Sequence, residues 1–277
     1  MTRRLATIPK APAVLAATVG LVMALLVGCA PGEEPYVERP VEELYNEAMD
    51  SLLGEDFDAA VAGFAEVERQ HPYSVWATRA QLMLAFVYYQ GNRYDDAIAA
   101  AGRFIELHPG NRDAAYAYYL IAMSHYEQIS SVDRDQKTTE FALQALEEVV
   151  RRFPDSTYAR DARIKIDLAR DHLAGKEMTV GRYYLNRGNP IAAIGRFRKV
   201  VELYQTTSHA PEALHRLTEA YLALGVPGEA QTAAAVLGHN YPGSQWYQHS
   251  YALLTDSDLQ PEADEGSWIS RVFGDLL

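Results

Sequence analysis

The chain has almost no cysteine and a deficit of positive charge. Cys29 is the single cysteine among 277 residues, which excludes a disulfide scaffold. Lysine and arginine total 25 against 37 aspartate and glutamate residues, and three of the bases (Arg3, Arg4 and Lys10) precede residue 29 with no acid among them. A protein that binds nucleic acid through its phosphates needs a basic face. We therefore expect no nucleic-acid partner.

The sequence also lacks the motifs of common catalytic sites. It contains no H-E-x-x-H, no G-x-S-x-G, no Walker loop and no glycine-rich dinucleotide turn. We therefore predict a protein that is not an enzyme, with no catalytic residues, no cofactor and no metal site.

The N-terminal segment is typical of a secretory signal. A basic beginning is followed by an apolar run at residues 11–27. The run ends at residues 26–30 (LVGCA), which resemble a bacterial lipoprotein box. In proteins with such a box the signal is cleaved before the cysteine, and acyl chains then anchor the protein at roughly 0.8 kcal/mol per buried CH₂. We predict that residues 1–28 are removed and Cys29 is lipidated; the alternative is a transmembrane helix, for which the run is barely long enough.

The residues after the cysteine bear on location and flexibility. In families with this box, an aspartate directly after the cysteine often retains the protein in the inner membrane, and Ala30 is not one. By this resemblance, the outer membrane is favoured. Residues 29–40 combine three prolines with several glutamates, which predicts an extended tether that cannot pack.

One short sequence motif, called here the recurring phrase, is repeated from residue 41 onward. Residues 71–77 (HPYSVWA), 153–159 (FPDSTYA) and 241–246 (YPGSQW) share a proline followed two positions later by serine. Proline ends a helix and serine caps the next one, and the apolar residues between these marks recur with a helical period. Small and aromatic residues at fixed places resemble the tetratricopeptide repeat. We predict an all-α tetratricopeptide-repeat solenoid of about five helical hairpins.

Three segments depart from the plain repeat. The third repeat carries a polar insertion at residues 127–140. The fourth is longer than the others, which predicts an extended helix from Tyr158 to about Lys176. Residues 256–277 form an acidic linker and an amphipathic tail, which could be a short docking helix or a final capping turn.

The first helix of each hairpin lines the concave side of such a solenoid. The repeat register places an arginine and several aromatic side chains on this side, which suits an extended peptide with apolar or aromatic residues. The alternative is that these aromatics pack between helices. The candidate groove residues are Arg79, Phe86, Tyr89, Tyr116, Tyr119 and Tyr126.

The combination of lipoprotein box, Pro/Glu tether and about five repeats with an insertion in the third closely resembles the BamD family. Its members are lipoprotein subunits of the outer-membrane β-barrel assembly machine. The resemblance runs from Cys29 to about Leu254. Its most specific passages are residues 85–89 (AFVYY), 103–109 (RFIELHP), 132–135 (VDRD) and 182–188 (RYYLNRG).

The resemblance implies a protein that works by binding on the periplasmic face of the outer membrane. Repeats one to three (residues 41–153) would receive C-terminal segments of unfolded barrel proteins, which typically end in an aromatic residue. Repeats four and five (residues 154–255) would dock on BamA, the barrel-forming subunit. Other assembly lipoproteins are further expected partners.

The resemblance also implies docking residues in the fourth repeat. Arg196 falls where the family presents a contact arginine, and Arg198 and Lys199 lie beside it; the alternative is an ordinary exposed helix face. A second hypothesis for function is an envelope scaffold unrelated to barrel assembly, such as a pilotin or a coordinator of cell division or peptidoglycan.

Overall fold

The structure, a computed structural model, describes residues 38–274, so the predicted signal, Cys29 and most of the tether lie outside the described residues. Within this range the chain forms twelve helices and no strand. None of these helices combines the length and apolar character needed to cross a membrane. The helices are α1 (Val41–Leu53), α2 (Phe57–Gln70), α3 (Val75–Gln90), α4 (Tyr94–Leu107), α5 (Ala114–Glu127), α6 (Lys137–Arg152), α7 (Thr157–Asn186), α8 (Pro190–Leu203), α9 (Ala210–Ala223), α10 (Pro227–Asn240), α11 (Gln245–Thr255) and α12 (Trp268–Phe273).

The first ten helices form five hairpins. Each helix packs against the next along the chain, and the first helices of successive hairpins also touch: α1 with α3, α3 with α5, α5 with α7 and α7 with α9. The first helices therefore share one side of the array, as expected for a solenoid. The predicted all-α tetratricopeptide-repeat fold is confirmed.

The serines of the recurring phrase act as helix caps. The side chains of Ser74, Ser156 and Ser244 each accept a hydrogen bond from a backbone N–H in the first turn of the following helix, at 3.0, 3.0 and 3.2 Å. Such bonds satisfy donors that have no partner within the helix. The phrase thus starts α3, α7 and α11 at defined positions, and the hairpin corners repeat with it.

The small and aromatic residues of the repeats meet inside the hairpins. Phe64, Phe104 and Phe197, one on the second helix of three hairpins, are at most 1 % exposed. Gly181 on α7 faces the Phe197 ring so closely that a Cβ atom there would lie 2.4 Å from Cε1 of Phe197. The absent side chain is therefore what lets α7 and α8 approach.

We expect Gly181→Ala to lower the free energy of unfolding by about 1–3 kcal/mol, because the added methyl group overpacks a filled core. In an unobstructed helix the same change stabilises, by roughly 0.5–1 kcal/mol. The control is Gly195→Ala, also on a helix, where a Cβ atom would meet nothing within 4 Å. Urea unfolding of both variants is the measurement, and a Gly181→Ala protein as stable as the control would contradict the packing argument.

Helix α7 is longer than the sequence predicted. It spans 30 residues, from Thr157 to Asn186, so the predicted end near Lys176 was wrong by about ten residues. No proline interrupts it, and it runs through both Gly175 and Gly181. The helix ends just before Gly188, which has a positive φ of 70°.

The insertion in repeat three folds back on α7. The Lys176 ammonium donates a hydrogen bond to the Asp133 carbonyl at 2.9 Å, and the Gln136 amide donates to the carbonyls of Ser131 and Arg134 at 3.2 and 3.1 Å. These bonds close the loop and fix it to the middle of the long helix. The insertion is therefore an ordered part of the array.

The C-terminal tail packs on the chain's own repeats. Helix α12 lies against α8 and α10, with Ile269 and Phe273 no more than 1 % exposed. The Trp268 indole N–H donates to the Tyr221 hydroxyl at 2.9 Å. Of the two alternatives raised by the sequence, this arrangement matches the capping turn.

Candidate functional site

Four aromatic rings form a line across the first helices of three hairpins. Phe86 of α3 lies 6.4 Å from Tyr116 of α5, measured between ring centroids. Tyr158 of α7 lies 5.4 Å from Tyr116 and 5.2 Å from Tyr119. All four side chains are partly exposed, so they can pack together and still offer a surface to a ligand. We call this surface the aromatic groove.

Carboxylates lie at one end of the aromatic groove. The Tyr89 hydroxyl donates to Glu127 at 3.3 Å, and the Tyr119 hydroxyl donates to Asp161 at 2.5 Å. Lys165 forms an ion pair with Asp161 at 2.9 Å. The groove therefore combines apolar faces with hydrogen-bonding groups held in fixed positions.

The other end of α3 borders a separate cleft of about 660 Å³. Arg79 lies there with its Cζ atom 5.3 Å from the Trp76 ring centroid, and no carboxylate among the described residues forms an ion pair with it. Arg112 lines the same cleft, with its Nε atom 3.6 Å from Asp113. Leu82 and Met83 contribute apolar surface.

The structure thus brings together part of the predicted groove set. Phe86, Tyr116 and Tyr119 join the line of rings. Tyr89 packs against the same core cluster as Phe86 and Tyr116. Tyr126 lies beside the carboxylate end, with Lys165 Nζ 5.7 Å from its ring centroid. Arg79 stands apart, in the cleft.

Sequence reasoning missed the contribution of α7. Tyr158, Asp161 and Lys165 lie three and four positions apart, so they share one face of this helix. That spacing is visible in the sequence at the start of the fourth repeat. The prediction of inward-facing residues covered only the first three repeats, whereas these three residues belong to the fourth.

Burial raises the pKa of three tyrosines at this surface, Tyr89, Tyr116 and Tyr119. It is the main cause that raises the pKa of Tyr89 and of Tyr116 to about 12, with the charge of Glu127 adding to the effect at Tyr89. The pKa of Tyr119 is raised by burial and by its hydrogen bond to Asp161. Burial acts to raise the pKa of Asp161 as well, but hydrogen bonds from Lys165 and Tyr119 outweigh it and the net shift is downward.

We expect Tyr89 and Tyr116 to ionise only as the pH approaches about 12, well above the usual pKa of about 10 for a tyrosine. Since folding raises these pKa values, their contribution to the free energy of unfolding is complete below pH 10 and is lost as the pH rises from 10 to 12. Phenolate absorbance during an alkaline titration is the measurement. Tyr116→Phe should remove one late-titrating group, and an unchanged late phase in that variant would contradict the prediction.

The predicted docking residues surround a buried carboxylate. Glu177 of α7 is 7 % exposed and accepts hydrogen bonds from Arg196 Nη1 at 3.1 Å and from Lys199 Nζ at 2.6 Å. The hydrogen bond to Glu177 is the main cause that raises the pKa of Lys199. Both cationic side chains remain 44 % exposed, so two positive charges share one internal negative charge and still reach solvent.

Arg198 faces a different neighbour. Its Nε atom lies 2.7 Å from Glu202, and its Cζ atom lies 4.5 Å from the ring centroid of Trp268 in the C-terminal tail. The three predicted docking residues therefore do not form one cluster. Arg196 and Lys199 are joined by Glu177, while Arg198 contributes to holding α12.

Comparison with known proteins places this fold in a family. Residues 37–237 match the family model YfiO, described as outer membrane lipoprotein. The chain is 53 % identical over 257 residues to the outer membrane protein assembly factor BamD of Caulobacter vibrioides, covering 91 % of this chain and 84 % of that protein. The chain belongs to the BamD family. The BamD of Rickettsia prowazekii is 43 % identical over 237 residues, covering 85 % of this chain and 93 % of the other.

Among solved structures, the chain is similar to the TPR2AB domain of yeast Sti1. It superposes with a TM-score of 0.41 at 11 % identity, covering 85 % of this chain and 89 % of that one.

The match to the BamD family model includes both candidate surfaces. The aromatic groove, Glu177 and Arg196 all fall within residues 37–237. Helices α11 and α12 follow the matched region, so the tail that packs on Arg198 lies beyond it.

Proposed function

We propose that this BamD-family chain is a non-enzymatic lipoprotein subunit of the outer-membrane β-barrel assembly machine. In this proposal Cys29 carries the lipid anchor, and the protein lies on the periplasmic face of the outer membrane. The aromatic groove binds unfolded barrel proteins, and α8 binds BamA. The observation that carries the proposal is the line of four half-buried rings on the first helices of three successive hairpins.

Such a surface suits an extended chain that is partly apolar. Aromatic faces supply large contact areas with little loss of side-chain freedom. Fixed phenols and carboxylates next to them can satisfy the backbone N–H groups of a chain that has not yet formed its own sheet. A client that ends in an aromatic residue would bury that ring against the groove.

Docking on BamA is supported by the charges around Glu177. Arg196 and Lys199 are both hydrogen-bonded to this carboxylate and both partly exposed. The pair therefore has a net positive charge toward solvent, which fits an acidic side chain of a partner. Holding client and BamA on one chain raises their effective concentration without any bond chemistry.

The two surfaces can be tested separately in the native envelope. The tagged full chain is purified in gentle detergent, and co-purified proteins are identified by mass spectrometry. We expect stoichiometric BamA and other assembly lipoproteins with the wild type. Tyr158→Ala should reduce cross-linking to unfolded barrel proteins while BamA stays bound. Arg196→Gln should reduce the amount of co-purified BamA while cross-linking to unfolded barrel proteins is unchanged.

The control for the groove is Tyr251→Ala, which changes a tyrosine that is 47 % exposed on α11 and should leave both interactions intact. Recovery of only secretin, cell-division or peptidoglycan proteins would reject the assembly function in favour of an envelope scaffold.

The lipid anchor has its own test. Cys29→Ser should leave the protein unlipidated and extractable from the membrane without detergent, since the acyl chains supply the anchoring energy. Membrane association that persists in this variant, together with residues 1–28 still present in the wild-type protein by mass spectrometry, would indicate the transmembrane alternative.

A further inference from the structure

The two ends of the concave surface on α3 and α5 carry opposite charge. At the cleft, Arg79 has no ion-pair partner among the described residues and Arg112 is only loosely paired with Asp113, at 3.6 Å. At the far end of the aromatic groove lie Glu127 and Asp161, against the single charge of Lys165. One end therefore has an excess of positive charge and the other an excess of negative charge.

The two ends also differ in hydrogen bonding. Glu127 and Asp161 accept hydrogen bonds from the hydroxyl groups of Tyr89 and Tyr119. The hydroxyl protons are thus already used, and the remaining lone pairs of the carboxylates and phenol oxygens can only accept further bonds. This end is suited to a lysine or arginine side chain. The guanidinium groups of Arg79 and Arg112 can only donate, which suits a carboxylate.

We propose that the groove fixes the direction of the bound peptide. The C-terminal carboxylate lies at Arg79 and Arg112, and a basic side chain nearer the N-terminus lies at Glu127 and Asp161. The occupant is thus an extended peptide with a free C-terminus, aromatic last residues and a lysine or arginine upstream. This inference rests on the client-binding function proposed above and adds a polarity to it.

The length of α3 sets the spacing between the C-terminal carboxylate and the basic side chain of the bound peptide. Arg79 and Tyr89 are ten residues apart on this helix, or about 15 Å at roughly 1.5 Å per residue. An extended peptide advances about 3.3 Å per residue. The basic residue should therefore lie about four or five positions before the C-terminus, with the aromatic residues between it and the carboxylate reaching Phe86 and Tyr116.

Peptide binding to the full chain in detergent tests the polarity. The probes are fluorescent ten-residue peptides that end in phenylalanine, with lysine five positions from the end. We expect the C-terminal amide to bind about fivefold more weakly than the free acid, as for one exposed charge pair. This difference should shrink in Arg79→Gln and vanish when Arg79→Gln is combined with Arg112→Gln. Arg103→Gln, which changes an exposed arginine on α4, should retain it.

The basic subsite is tested with the same peptides. Replacing the peptide lysine by glutamine should weaken binding to the wild type by a similar factor. The effect should be smaller in Glu127→Gln and absent when Glu127→Gln is combined with Asp161→Asn. Glu106→Gln, at an exposed position on α4, is the matched control and should behave as the wild type.

A photo-reactive group at the last peptide residue separates this proposal from the function on which it rests. Cross-links to α3 and the start of α5 near Arg79 are expected. Tight binding of acid and amide alike, or cross-links from the last residue to α7 near Asp161, would overturn the polarity and leave client binding intact. Failure of every peptide to bind would overturn both.

Discussion

Phe273→Ala is expected to lower the free energy of unfolding by about 3 kcal/mol, within the range for loss of a buried phenylalanine side chain. Phe273 is 1 % exposed and belongs to a core cluster that also contains Phe197, Val201 and Leu237. Removing the ring leaves a cavity between α12 and the second helices of the last two hairpins. Chemical unfolding of the full chain is the measurement.

The loss of stability caused by Phe273→Ala has an upper limit, because α12 is short and lies at the C-terminal end of the described residues. A destabilised tail can detach while the repeats remain folded, and the loss then equals the free energy with which the tail binds. Deletion of residues 256–277 should therefore cost at least as much as Phe273→Ala. Arg271→Ala, at an exposed position in the same helix, should change stability by no more than about 0.5 kcal/mol. A Phe273→Ala protein as stable as this control would contradict the capping role of the tail.

Arg196→Glu is expected to lose BamA and also to destabilise the protein by about 2–3 kcal/mol. The new carboxylate would stand beside buried Glu177, and Lys199 alone would have to balance two negative charges. Removing one partner of a buried ion pair costs about 3–5 kcal/mol, and the remaining contact with Lys199 and the partial exposure of Arg196 reduce that cost. Thermal unfolding gives the stability, and co-purification gives the binding.

A double variant separates the two effects. In Glu177→Gln with Arg196→Gln the buried carboxylate and the arginine are removed together. Lys199 loses its ion pair but is 44 % exposed and can still donate to the amide oxygen at position 177, so we expect stability within about 1 kcal/mol of the wild type. BamA should still be lost, because the Arg196 guanidinium is absent and Lys199 alone cannot replace its planar set of donors. Arg187→Gln, which changes an exposed arginine at the end of α7, is the control for loss of charge alone. BamA binding by a stable double variant would reject Arg196 as a docking residue.

The hairpins could be predicted because their signals are local. Ser74 and Ser156 cap helices through bonds to residues three positions away, and a proline precedes each of them by two positions. The end of α7 was predicted about ten residues too early, because Gly175 and Gly181, residues that weaken a helix interior, both lie within it. The helix continues to Asn186 because the packing of Gly181 against Phe197 accommodates a residue that would otherwise weaken it.

The candidate site required contacts between distant residues. The repeat register was enough to place Phe86, Tyr116 and Tyr119 on the first helices. The pairing of Glu177 with Arg196 and Lys199 joins residues 19 and 22 positions apart on two helices, and no spacing rule within one helix gives it.

The role of the C-terminal tail could not be predicted, because an amphipathic pattern is the same for a helix that binds a partner and for one that packs on its own chain. The complementary surface decides between them. Tyr221 and Arg198 provide that surface for Trp268.

Helix α7 fixes the distance between the two proposed binding surfaces. Asp161, at one end of the aromatic groove, and Glu177, which holds the proposed docking cations, are 16 residues apart on this one uninterrupted helix, or about 24 Å at roughly 1.5 Å per residue. A continuous helix resists bending and has no hinge at which that distance can change. In the proposed function, a client and the barrel subunit bound at these two places are therefore held at a constant separation, and any movement that brings them together must come from the client or from BamA.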